Sequence, residues 1–107
     1  MIDVNDLNTD NSITISLLEI VGPFAENKDL GRDIRVKKIE SNLAKDKKVI
    51  LDFAGIDGAT QSFIHSMISQ VIRDHGSVVL ESLFFKECSE PVQAIIAIVV
   101  DYMQQID

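Results

Sequence analysis

Ser62 and His65 lie three residues apart. On a helix that spacing sets a hydroxyl beside an imidazole, the start of a base-activated nucleophile. The rest of such a constellation is missing. No nucleophile-elbow glycines flank Ser62, and the orienting acid has no placed candidate beyond Asp52. His65 therefore reads as a helix-surface or half-buried histidine, and an enzyme is not expected. His75 directly precedes Gly76 and reads as a cation or cap contact at a helix C-terminus. His65, His75 and Cys88 show no close ligand spacing, so neither a metal nor a cofactor is expected.

Phosphate chemistry points to the stretch "VILDFAGIDGATQSF", residues 49–63. A Walker loop needs a lysine next to its Ser or Thr, and none stands between Lys48 and Arg73. The glycine fingerprint of dinucleotide sites is also absent. Direct nucleotide binding is therefore not expected. Gly55 and Gly58 still allow tight turns, and Thr60 or Ser62 can cap a helix that begins there. Free N–H groups at such a helix start suit an anion, either a ligand or a phosphate on Ser62 or Thr60. A small-ligand or nucleotide sensor at this helix start stands as an alternative reading.

The elements that must hold this junction follow from periodicity. Residues 1–12 are polar and read as an N-terminal arm or loose strand. "ITISLLEI", residues 13–20, alternates Ile13, Ile15 and Leu17 with Thr14 and Ser16, a half-buried strand ended by Gly22 and Pro23. Residues 28–45 predict a helix with Arg32, Val36, Ile39 and Leu43 on one stripe, leaving Leu30 and Ile34 off it. "KKVILDF" is apolar on both faces, as a central strand is. Asp52 inside it should be tied to backbone N–H groups of the following loop. Phe63, Ile64, Met67, Ile68, Val71 and Ile72 then recur with helical period up to the Gly76 cap. "SVVLESLFF" predicts a third strand, and Ser89 with Pro91 starts a last, strongly apolar helix through Met103. The β-α-β-α-β-α order predicts an α/β layer fold with a mainly parallel sheet.

Composition bounds the partners. The chain has 107 residues, 46% of them hydrophobic, which suits one domain over 13–107 with its own core. Residues 28–48 hold eight of the ten bases against four acids, a local charge of +4 that leaves the rest at −11. An acidic body repels phosphate, and with no Trp and one Tyr there is no stacking platform, so nucleic acid is not expected. The run Ala94–Val100 is far short of the roughly 20 residues of a membrane span. The single Cys88 has no partner for an internal disulfide, and no signal peptide opens the chain, so a cytoplasmic setting is expected.

The stretch "VILDFAGIDGATQSFIHSMISQVI" resembles the core of STAS domains, the fold of bacterial anti-sigma-factor antagonists. It is most similar to a group of small bacterial STAS-like domains, whose skeleton fits Gly22, Leu51-Asp52-Phe53, Gly55-Ile56 and Ser62-Phe63. "VVLESLFFKECSEPVQAII" is similar to the next strand, loop and helix of the fold. The likeness spans about residues 13–103. In antagonists an Asp-Ser-Ser/Thr-Gly motif opens the helix. Carried over, its aspartate falls on Thr60, its phosphorylated serine on Gln61, its second hydroxyl on Ser62 and its glycine on Phe63. The regulated hydroxyl is thus not at its own position.

The resemblance implies a non-enzymatic regulatory module that binds a protein, with a histidine-kinase-like ATPase as the natural partner. The expected contact residues are Gly55, Asp57, Gly58, Thr60, Gln61 and Ser62. The alternative is a domain switched by phosphorylation at Ser62 or Thr60. Association into a homodimer is a further expectation.

Overall fold

The computed structural model describes residues 11–105. Strands β1 (Ser12–Ser16), β3 (Lys48–Asp52) and β5 (Leu83–Lys86) form one parallel sheet in the order β1-β3-β5. Helices α4 (Gln61–His75) and α5 (Glu90–Gln105) follow β3 and β5, so the alternating α/β order holds and the apolar "VILD" run is central. Parallel strands need a crossover such as α4 between β3 and β5, because a tight turn cannot join them. Ile15, Val49, Leu51 and Leu83 alternate onto one face of the sheet. They join Ile64, Met67, Ile68, Val71, Val92 and Val99 from the helices in a single core. Of the arm expected over 1–12, residues 1–10 lie outside the described residues, and Ser12 already pairs with Lys48.

The first strand is shorter than its alternation predicts. It stops at Ser16, and Leu18–Val21 form the short helix α1, with the N–H groups of Ile20 and Val21 returning to the Leu17 carbonyl at 3.0 and 2.9 Å. Leu17 is fully buried and still donates to the Asp52 carbonyl at 3.1 Å, so its place in the alternation reflects burial rather than continued strand. The expected third strand is likewise cut. Ser77–Glu81 form a 3₁₀ turn that exposes Val78 and buries Val79, and the strand is Leu83–Lys86 alone.

The basic helix departs most from its pattern. It begins as α2 (Lys28–Ile34), capped by the Asn27 side chain, which accepts from the N–H groups of Asp29 and Leu30. It then widens into a π turn over Arg35–Ile39 and finishes as α3 (Glu40–Leu43). The Glu40 N–H bonds to the Arg35 carbonyl, five residues back. Gly31, Ile34 and Ile39 are buried, whereas Arg32 and Val36 of the expected stripe are exposed, Val36 at 51%. The stripe is correct for its C-terminal half only. The extra residue in the π turn rotates everything N-terminal to it, which brings Ile34 rather than Val36 onto the core. Arg35, half-buried in the π turn, reaches α4: its Nε donates to the Ser66 carbonyl at 3.3 Å.

Two further strands are invisible to periodicity. Phe24–Ala25 (β2) and Gly58–Ala59 (β4) form a parallel pair of two residues each, with Phe24 opposite Gly58. This small pair fastens the loop after β3 to the chain after α1.

Candidate functional site

Asp52 ends β3, and its Oδ1 accepts the Ala54 N–H at 3.0 Å, so the carboxylate turns the chain out of the sheet. Gly55 then takes φ +84°, a left-handed conformation that a side chain would strain. A Cβ on Gly55 would also stand 2.6 Å from Leu18 Cδ2, so the Leu18 side chain would have to shift. The Asp57 N–H donates to the Pro23 carbonyl at 2.8 Å, and the Thr60 N–H to the Ala25 carbonyl at 2.9 Å. From the other side the Ser89 hydroxyl donates to the Asp57 carbonyl at 3.1 Å. The loop is thus held at both flanks through backbone groups, which leaves the side chains of Asp57, Gln61 and Ser62 exposed.

Thr60 is the N-cap of α4. Its backbone is extended, and its Oγ1 accepts the Phe63 N–H at 3.1 Å. Ser62 sits one residue after Gln61 in the first turn, with its hydroxyl 3.3 Å from that of Thr60. Ser62 does not pair with His65. The His65 Nδ1 lies 3.3 Å from the Ser69 hydroxyl instead. Ser62 and His65, with Lys28, Gln61 and Ser66, line a shallow depression of about 460 Å³ between the starts of α2 and α4. His75 finds a partner across the helices, its Nε2 3.1 Å from Glu40 Oε1.

Among the described residues no group of three or more His, Cys, Asp and Glu could hold a metal ion. Cys88 is half-buried at the end of β5, and burial, with Asp52 and Glu87 nearby, pushes its thiol up to about 11. At neutral pH it is a protonated, poorly nucleophilic group. No helix of the described residues is long and apolar enough to cross a membrane.

Two residues of this face are absent from the expected set. Leu18 lies over Gly55 and Phe24 over Gly58, and they remain 37% and 51% exposed. They stand 37 and 34 positions before the glycines they cover. Nothing local links them to it except the glycines, which leave room for a neighbour whose identity the fold decides. The result is a face with two exposed apolar side chains, the exposed Gly55 and a row of small polar groups, whereas Gly58, expected among the contact residues, is buried beneath the Phe24 ring.

A family model described as a STAS-like domain of unknown function matches residues 31–93, more than half of the chain. No curated protein and no solved structure matches.

Proposed function

We propose, for a chain that belongs to the family of STAS-like domains, a non-enzymatic regulatory role in which the loop 54–62 binds a protein partner. The observation that carries this reading is the placement of Leu18 and Phe24 against Gly55 and Gly58. Exposed apolar groups on a backbone that is already tied down present a preformed contact surface, and little ordering cost accompanies binding. Asp57, Thr60, Gln61 and Ser62 rim that surface with small polar groups, and the absence of bulk lets a partner backbone approach closely. The resemblance to anti-sigma-factor antagonists makes a histidine-kinase-like ATPase the partner of choice.

The test is recovery of the tagged protein from its own cell, with and without ATP. An ATPase of that class should accompany the parent chain and be lost from Phe24→Asp, a substitution at a half-exposed position. Equal recovery with both chains, or no ATPase with either, rejects the reading.

A second reading, phosphorylation at Ser62, is favoured by one specific observation. Ser62 is exposed and shares its depression with the Lys28 amine and the His65 imidazole, whose N–H groups can donate to a phosphate. Thr60 is the poorer acceptor, because its oxygen is engaged by the Phe63 N–H. Mass spectrometry of the chain recovered from its cell decides this: phosphate on Ser62 supports the switch, and an unmodified chain under all growth conditions rejects it.

A further inference from the structure

The sheet ends at β5, whose outer edge has no partner strand among the described residues. A row of unpaired N–H and C=O groups there is a template for another strand. Beside that edge, between β5 and α5, runs a groove of about 650 Å³. Phe85, Ile96, Ala97 and Val100 give it apolar walls, and Glu87 and Asp101 stand in it as carboxylates. Phe85 is held in place by the ring of Phe53, 6.5 Å away between centroids. Lys86, the one base on β5, alternates to the opposite face of the sheet. None of the groove's residues belongs to the loop 54–62.

We infer that the β5 edge and this groove bind an extended segment of a partner protein, one with aliphatic side chains at alternate positions and at least one lysine or arginine. A strand added along Leu83–Lys86 satisfies the open backbone groups. Every second side chain of that strand then falls on the helix side, into the groove. The apolar walls take the aliphatic groups, and Glu87 and Asp101 take the cation.

Charge selects this occupant over the others. Residues 90–105 contain no Lys or Arg, so two copies meeting groove to groove would set carboxylates against carboxylates. Residues 1–10 bring Asp3, Asp6 and Asp10 and no base. Glu87, at φ +60°, ends the strand and limits the added segment to a short one.

Panning a random peptide library on the intact protein, followed by anisotropy titration of the selected peptides, tests the inference. Selected peptides should alternate aliphatic residues and carry Lys or Arg. Their affinity should fall about tenfold or more with Ala97→Arg and with Asp101→Lys, as expected when a charge is placed in or removed from a contact centre. Both positions are exposed on α5, so helical content should be unchanged. Ser62→Glu should leave the affinity unaltered, which separates this surface from the loop. Acidic selected peptides, or affinities indifferent to both substitutions, overturn the inference. A dimer in sedimentation that Ala97→Arg dissociates also overturns it and gives the groove to a second copy.

Discussion

The ring of Phe24 lies over Gly58 so closely that a Cβ there would come within 2.9 Å of Phe24 Cε1. The two residues face each other in the β2–β4 pair. Gly58→Ala therefore moves the ring, and since Phe24 is half exposed the ring can swing outward. The expected result is a stability change below about 1 kcal/mol, with a marked loss of partner capture. Gly55→Ala differs, because a left-handed backbone conformation is strained by a Cβ at a cost of about 1–2 kcal/mol, and Leu18 must shift as well. Urea melts should separate the two variants, and coincident curves would contradict this assignment.

Thr60 and Ser62 divide two roles that look interchangeable. Thr60→Ala removes the cap on Phe63 N–H and should cost about 1 kcal/mol. Ser62→Ala should cost little. Ser62→Glu should keep the melting temperature, since a carboxylate in the first helical turn is favoured by the dipole, and should still weaken partner capture. Gln61→Glu is the companion variant for capture. Equal melting temperatures for the two alanine variants would show the cap assigned to the wrong residue.

Deletion of Val36 should be tolerated. In the parent, Gly31, Ile34, Ile39 and Leu43 face inward only because of the π turn at Arg35–Ile39. Removing one exposed residue from that turn puts the same side chains on an uninterrupted α-helical stripe. Thermal melts should stay within a few degrees of the parent, on the scale of about 1 kcal/mol. An unfolded or strongly destabilised product would mean that the extra residue is required for packing on α4.

Cys88 predicts an alkaline weakness. Burial first, then Asp52 and Glu87, raise its thiol from 9.0 to about 11. The unfolded chain therefore loses this proton at lower pH than the folded one. The contribution is whole below 9.0 and is lost as pH rises from there through about 11. Stability should fall across that window, and Cys88→Ser should remove part of the fall. Parent and variant with the same alkaline slope would refute the shift.

Much of the frame was legible in the sequence because its causes are local. The central strand Lys48–Asp52, the apolar stripe of α4, the Gly76 cap and the Ser89 start of α5 each depend on residues a few positions apart. Their alternation was enough for a parallel α/β sheet, and Asp52 in an apolar run announced its bond to Ala54. The valines at 78 and 79 misled because β-branching favours strands, while the cap at Gly76 redirects the chain into a 3₁₀ turn.

Tertiary structure decided what depends on distant neighbours. The stripe Arg32, Val36, Ile39, Leu43 is a sound helical pattern, yet packing against α4 favours Gly31 and Ile34 and inserts the π turn that brings them inward. A Cβ on Gly31 would collide with the Ser66 hydroxyl, a constraint set by a residue 35 positions away. Leu18 and Phe24 join the loop 54–62 only once β1 and the β2–β4 pair bring them there. Periodicity reports which side of an element is apolar. Which other element covers that side, and which apolar residues are left uncovered, is determined only when all the elements compete for the same core.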